Sequence, residues 1–141
     1  MASEELSVGD QTIRYDRDRT QQVYRGIAEG SADRCGCPEC QNFVAQRQSA
    51  FPESFRELLE KLGIDSKKEE HLYDWGQAED GTITYGGWFY LAGEMVKAGD
   101  SMQDVDGVQY FFRRGSSGSE PSLLLEFVLK LNSPLPDTPS T

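Results

Sequence analysis

A chain of 141 residues, 37% hydrophobic and 11% aromatic, is long enough to bury a core of its own, so neither a disulfide framework nor a bound metal is required for folding. Its formal net charge of −10, from 14 basic against 24 acidic side chains, disfavours nucleic acid and anionic lipid as partners. No run approaches the roughly 18 apolar residues of a membrane span, and the first residues carry no apolar leader segment, so a cytoplasmic location away from membranes is expected.

In chain order, residues 1–10 read as a flexible N-terminus. "QTIRYD" alternates as a strand, with Ile13 and Tyr15 on one side. "QQVYRGI" reads as a second strand, the polar run Arg17-Asp18-Arg19-Thr20 suiting a hairpin turn between the two. "AEGSADR" has turn composition and leads into a window that holds every cysteine of the chain, Cys35, Cys37 and Cys40.

Beyond the window the period changes to that of a helix. Pro38 suits a first helical residue, where its missing N–H costs nothing, and Phe43, Val44, Arg47 and Phe51 then share a face. Pro52 opens a second helix with an apolar stripe of Phe55, Leu58, Leu59 and Leu62. Gly63 followed by Ile64 is a helix ending in which glycine takes the left-handed conformation and the apolar residue folds back. Ser66 and Glu69 have capping-box spacing and predict a third, short helix reaching Leu72.

From residue 81 the period is two. "TITYGGWFYLAGEMV" buries parts of both faces, and Gly86-Gly87 within it points to a bulge or the close approach of another backbone. "GVQYFFRR" is a further strand. "SLLLEFVLKL" fits a helix as well as a strand, but Leu123, Leu125, Phe127, Leu129 and Leu131 alternate without a break, which favours the strand. The proline-rich end, 132–141, is expected to be disordered. The fold expected is α+β, one domain over residues 11–131. An antiparallel sheet of about four to five strands would carry a two- to three-helix insertion, residues ~38–73, packed on one face.

The cysteines form the pattern C-x-C-x-x-C. Cytosolic thiols stay reduced and an odd number cannot all pair, so a disulfide purpose is disfavoured. Cys37-Pro38-Glu39-Cys40 has the spacing of a metal knuckle, Cys35 can add a third thiolate, and a helix start at Pro38 favours ionised sulfur. Zinc is the leading ion, since thiolate and imidazole suit it. His71 is the first candidate for the fourth ligand, reachable if the two helices form an antiparallel hairpin, with Asp33, Glu39 and water as alternatives. A closed site would be structural, and an open one would take a ligand or another chain.

Two other readings compete: a redox enzyme or sensor using Cys37 or Cys40, and three thiols that simply fill space. Iron–sulfur spacing does not match. The aromatic run Tyr85, Trp88, Phe89, Tyr90, Tyr110, Phe111 and Phe112 suits a core, or else a ligand pocket in a curved sheet. Glu94 and Glu126 lie in apolar strands as possible paired carboxylates, and "DVDG" lacks the ligand spacing of a calcium loop. No Ser-His-Asp pattern, Walker loop or dinucleotide fingerprint is present. The expectation is a metal-binding interaction module, acting on a protein or small-ligand partner, rather than an enzyme.

"CGCPECQNF", "FPESFRELLEKLGIDSKKEE" and "YGGWFYLAGE" together resemble a group of small bacterial proteins with a C-x-C-x-x-C-x-N-F start, a Leu-Gly-Ile-Asp helix ending and a Tyr-Gly-Gly-Trp strand. The similarity covers about residues 35–94. It implies a bacterial cytosolic protein and brings no activity with it.

Overall fold

The computed structural model describes residues 3–35, 37–115 and 122–132; the tail at 133–141 lies outside them. In chain order the elements are β1 (Ser3–Val8), β2 (Gln11–Asp16), α1 (Arg17–Arg25), α2 (Ser31–Cys35), α3 (Pro38–Ala50), α4 (Glu53–Leu62), β3 (His71–Gln77), β4 (Thr82–Lys97), β5 (Gln103–Val105), β6 (Val108–Arg114) and β7 (Ser122–Asn132). The class is α+β, as the sequence predicts, with a larger sheet. Among the described residues seven antiparallel strands form the sheet, six in the order β1-β2-β4-β7-β6-β5 and β3 beside β4 off that path. Residues 3–8, expected within a flexible end, form an edge strand paired to β2.

Strand β4, 16 residues long, organises the sheet. One edge pairs with β7 from Thr82 to Ala92. The other edge is shared: β3 pairs up to Trp88, and β2 takes over from Gly93. The backbone between them would be left bare, and α1 fills the gap. Thr20 Oγ1 accepts from Ala92 N–H at 3.0 Å, and Tyr24 donates its hydroxyl to Tyr90 O at 2.7 Å. The peptide N–H of Glu70 reaches Trp88 O at 2.9 Å.

That bridge corrects the expectation of a strand at "QQVYRGI". Asp16 caps the helix by accepting from Arg19 N–H at 3.0 Å, and the buried positions Thr20 and Tyr24 stand four apart, the helical rather than the strand spacing. The predicted third helix at Ser66–Leu72 is also absent. Glu69 is buried, and its carboxylate accepts from Ala32 N–H at 2.7 Å instead of turning back to cap Ser66. The chain is already extended by His71.

Other local signals hold. Pro38 stands at the start of α3. Gly63 is left-handed at φ 84°, and Ile64 N–H returns to Leu59 O at 2.9 Å. The last strand is a strand, with Leu123, Leu125, Phe127 and Leu129 buried.

These residues meet the helices on the sheet's inner face. Phe51 is the hub of that packing, with the rings of Phe43, Phe55, Phe89 and Phe127 at 6.0, 5.3, 5.9 and 5.3 Å. The sheet curves around them until the start of β2 meets β6. There the buried Gln11 side chain donates to Phe112 O at 2.6 Å and accepts from Phe112 N–H at 3.0 Å, acting as one more rung of ladder.

Candidate metal centre

The cysteine window lies between two helices, because "SADRC", expected as part of a turn, forms the short α2. Cys35 ends α2, Cys37 is the residue before α3, and Cys40 lies in the first turn of α3. Cys37 is extended (φ −75°, ψ 161°), so its sulfur turns toward the helix and accepts from Cys40 N–H at 3.4 Å, while its carbonyl accepts from Gln41 N–H at 2.9 Å.

All three sulfurs lie within 4.8 Å of one another, with Cys35 and Cys37 Sγ 3.2 Å apart, and no disulfide joins them. Zinc–sulfur bonds of about 2.3 Å in a tetrahedron set sulfurs about 3.8 Å apart, a triangle of this size. Burial is graded from the exposed Cys35 to Cys40, 7% exposed. Hydrogen bonds from Cys40 and Cys37 draw the Cys35 thiol below its usual pKa. Burial, with its neighbouring sulfurs, pushes the Cys40 thiol far up.

The surroundings hold α2 in place. Ser31 N–H donates to Glu69 O at 3.0 Å, and Arg47 Nη2 meets Asp33 Oδ2 at 2.9 Å while its Nη1 donates to Lys67 O at 2.8 Å. Asp33 Oδ2 also accepts from Gly30 N–H at 3.2 Å, so this carboxylate serves the loop and is not offered to the sulfurs. The first turn of α3 is tied to β4 through Tyr85, whose hydroxyl donates to Glu39 O at 2.7 Å and accepts from Asn42 at 3.0 Å. Sequence reasoning did not find the supporting roles of Glu69, Tyr85 and Asn42. The available signal was a polar group, Asn42, beside the apolar Phe43 of α3.

His71 is not a member of the sulfur group. It pairs with Trp88 in the β3–β4 ladder and stacks on that indole at 4.6 Å. Residues directly opposite across a ladder share a face, and Trp88 alternates with the inward-facing Tyr85, Gly87 and Phe89. His71 therefore lies on the outer face, away from the helices and the cysteines. The hairpin argument failed because α4 is followed by a strand, whose alternation decides where the imidazole points.

The remaining candidates also find places. Tyr85, Phe89, Tyr110 and Phe112 are core residues, whereas Trp88, Tyr90 and Phe111 are half-buried. A cleft of about 480 Å³, lined by Gln11, Met95, Met102, Phe111 and Phe112 among others, touches only the end of that aromatic run. Glu94 and Glu126 are not a pair: Glu94 bonds Arg14 at 2.7 Å and Glu126 bonds Arg113 at 3.0 Å. Asp104 of "DVDG" caps its own turn through Gly107 N–H at 3.2 Å. At Gly87 a side chain would meet the carbonyl of His71, which is the close backbone approach that its sequence position implied.

No helix among the described residues is long and apolar enough to cross a membrane. No family model, curated protein or solved structure matches the chain.

Proposed function

We propose that Cys35, Cys37 and Cys40 bind zinc, and that the protein is a cytoplasmic binding module whose metal fixes the α2–α3 corner as a surface for a protein or small ligand. The observation that carries this reading is the convergence of three free sulfurs within 4.8 Å at the start of a helix. Such a corner lowers the cost of ionising several thiols only when a cation joins them, because the uncompensated thiolates repel. A structural role follows from position. The sulfurs link two helices across a two-residue connection, and the metal would cross-link them.

Protein purified without metal-charged columns should carry about one equivalent of zinc, and chelation should expose the thiols to alkylation and loosen residues 31–41 in hydrogen exchange. Absence of zinc together with fast alkylation of the freshly isolated protein would reject the proposal.

One observation favours a second reading. Cys35 is exposed, its thiol pKa is lowered, and its sulfur is 3.2 Å from that of Cys37. As a redox pair, the two thiols would give up two electrons and two protons to a peroxide and form a disulfide, hydrogen peroxide leaving as two waters and an organic peroxide as one alcohol and one water. The nucleophile would then be Cys35 rather than Cys40, whose buried thiol ionises poorly. Reversible peroxide oxidation of metal-free protein at Cys35 and Cys37, without bound zinc in the native state, would select this reading.

A further inference from the structure

Helices α1 and α4, which carry none of the cysteines, border a cleft of about 410 Å³. Helix α1 brings Arg17 and Arg25 to it, eight residues apart and so on one helical face, α4 brings Arg56, and the connection after α4 brings Lys68. Gly63 lets the two helices close on each other, since a side chain there would meet the carbonyl of Arg17. In a chain of net charge −10, four cations against the two carboxylates of Glu60 and Asp65 make this cleft a local reversal of sign.

Two of the four cations have a structural task. Arg17 Nε donates to Glu60 O at 3.1 Å and Lys68 Nζ to Tyr24 O at 2.9 Å, each satisfying a carbonyl in the last turn of a helix. Lys68 also has Asp65 Oδ2 at 3.8 Å. The other two cations have no such task. Among the described residues neither Arg25 nor Arg56 forms an ion pair, although Glu60 stands one helical turn beyond Arg56. Both arginines are exposed, and the buried Leu59 and Ile64 add apolar surface to the same cleft.

We infer that this cleft binds a small organic phosphate. Guanidinium groups present paired N–H donors that match phosphate oxygens, and Arg25 and Arg56 hold theirs unspent. A phosphate monoester carries three terminal oxygens and a charge of about −1.5 to −2 at pH 7, enough acceptors for both arginines and enough charge to offset the excess of two cations. A single carboxylate offers half of that charge and fewer acceptors. The volume is that of a small-molecule site, and Leu59 and Ile64 give the organic part of an ester a surface to lie on. A nucleic acid strand is disfavoured as the source of the phosphate, because the chain as a whole is acidic. No lining residue of the cleft belongs to α2 or α3, so the inference stands apart from the reading of the cysteines.

Titration calorimetry of the full chain at low ionic strength tests this with phenyl phosphate, inorganic phosphate and succinate as probes. Phenyl phosphate should bind saturably at one site, and more tightly than either of the other two. Arg25→Gln and Arg56→Gln should each weaken it about 10-fold or more, the loss expected for a charge-assisted hydrogen bond. Both side chains are exposed, so the far-UV spectrum should not change. Glu60→Gln removes a competing carboxylate and should tighten binding. Lys97→Gln, an equal change of charge on β4 outside the cleft, should leave affinity as it was. Absence of saturable binding of phenyl phosphate, wild-type affinity in both arginine variants, or an equal loss in Lys97→Gln would overturn the site. Succinate bound as tightly as phenyl phosphate would overturn the choice of phosphate, and inorganic phosphate bound as tightly would overturn the role of the apolar surface.

Discussion

At the scale of single residues, the three cysteines differ more than their spacing suggests. Cys35 is exposed and its thiol is shifted down by the sulfur hydrogen bonds it receives, whereas Cys40 is buried and its thiol is pushed up. In metal-free protein near pH 7 we expect iodoacetamide to label Cys35 well before Cys40, as read by peptide mass mapping. Labelling in the reverse order would contradict the arrangement. Glu69 is the second informative residue. Burial raises its carboxyl pKa above the usual 4.5, while its bond from Ala32 N–H and the charge of Arg47 pull it down. Its Oε1 and Arg47 Nε are buried without a hydrogen-bond partner among the described residues. A raised folded-state pKa means a contribution that is complete below about 4.5 and lost as pH rises through the folded value. Relative to Glu69→Gln, which cannot ionise, the wild type should therefore lose stability as pH rises above about 4.5 in chemical denaturation. A difference that stays flat above that pH would show that Glu69 is not desolvated.

At the scale of elements, the decisive feature is how the shared edge of β4 is completed. Two strands divide that edge, and helix α1 supplies from its side chains the hydrogen bonds that neither strand can make. Thr20→Val preserves shape but leaves Ala92 N–H buried with no acceptor. We expect it to cost about 1–3 kcal/mol in urea unfolding, with little change in the far-UV spectrum. A cost below about 0.3 kcal/mol would mean that water replaces the hydroxyl and that α1 is not a structural bridge. The same bridge explains why α1 was misread. Its buried positions are a threonine and a tyrosine used for their oxygens, so the apolar stripe that marks a helix is weak, and Val23 with Ile27 mimics alternation. Helix α4 was legible because its stripe, its left-handed Gly63 and the return of Ile64 are all local. Strand β7 was legible because four of its five alternating apolar residues are buried and the fifth, Leu131, is partly so.

At the scale of the whole molecule, the candidate site is assembled from segments that the chain brings together only through the sheet. Its sulfurs were visible in sequence because they sit within six residues, and spacing alone makes them neighbours. Its surroundings were not. Glu69 carries the spacing of a capping residue yet anchors α2, and its role depends on a contact 37 positions away in the chain. His71 was a chemically sound ligand placed on the wrong face by the register of β3 against β4, a pairing that no local pattern reports. The curved sheet therefore does more than house a core: through Tyr85 of β4 it ties down the helix turn that carries Cys40.

X-ray absorption at the zinc edge of protein loaded with one equivalent of zinc tests the metal centre most directly. Three sulfurs at about 2.3 Å and one lighter ligand at about 2.0–2.2 Å are expected, with one sulfur lost in Cys40→Ser. A shell of oxygen and nitrogen with no sulfur, or a protein that cannot retain one equivalent of zinc, would contradict the account.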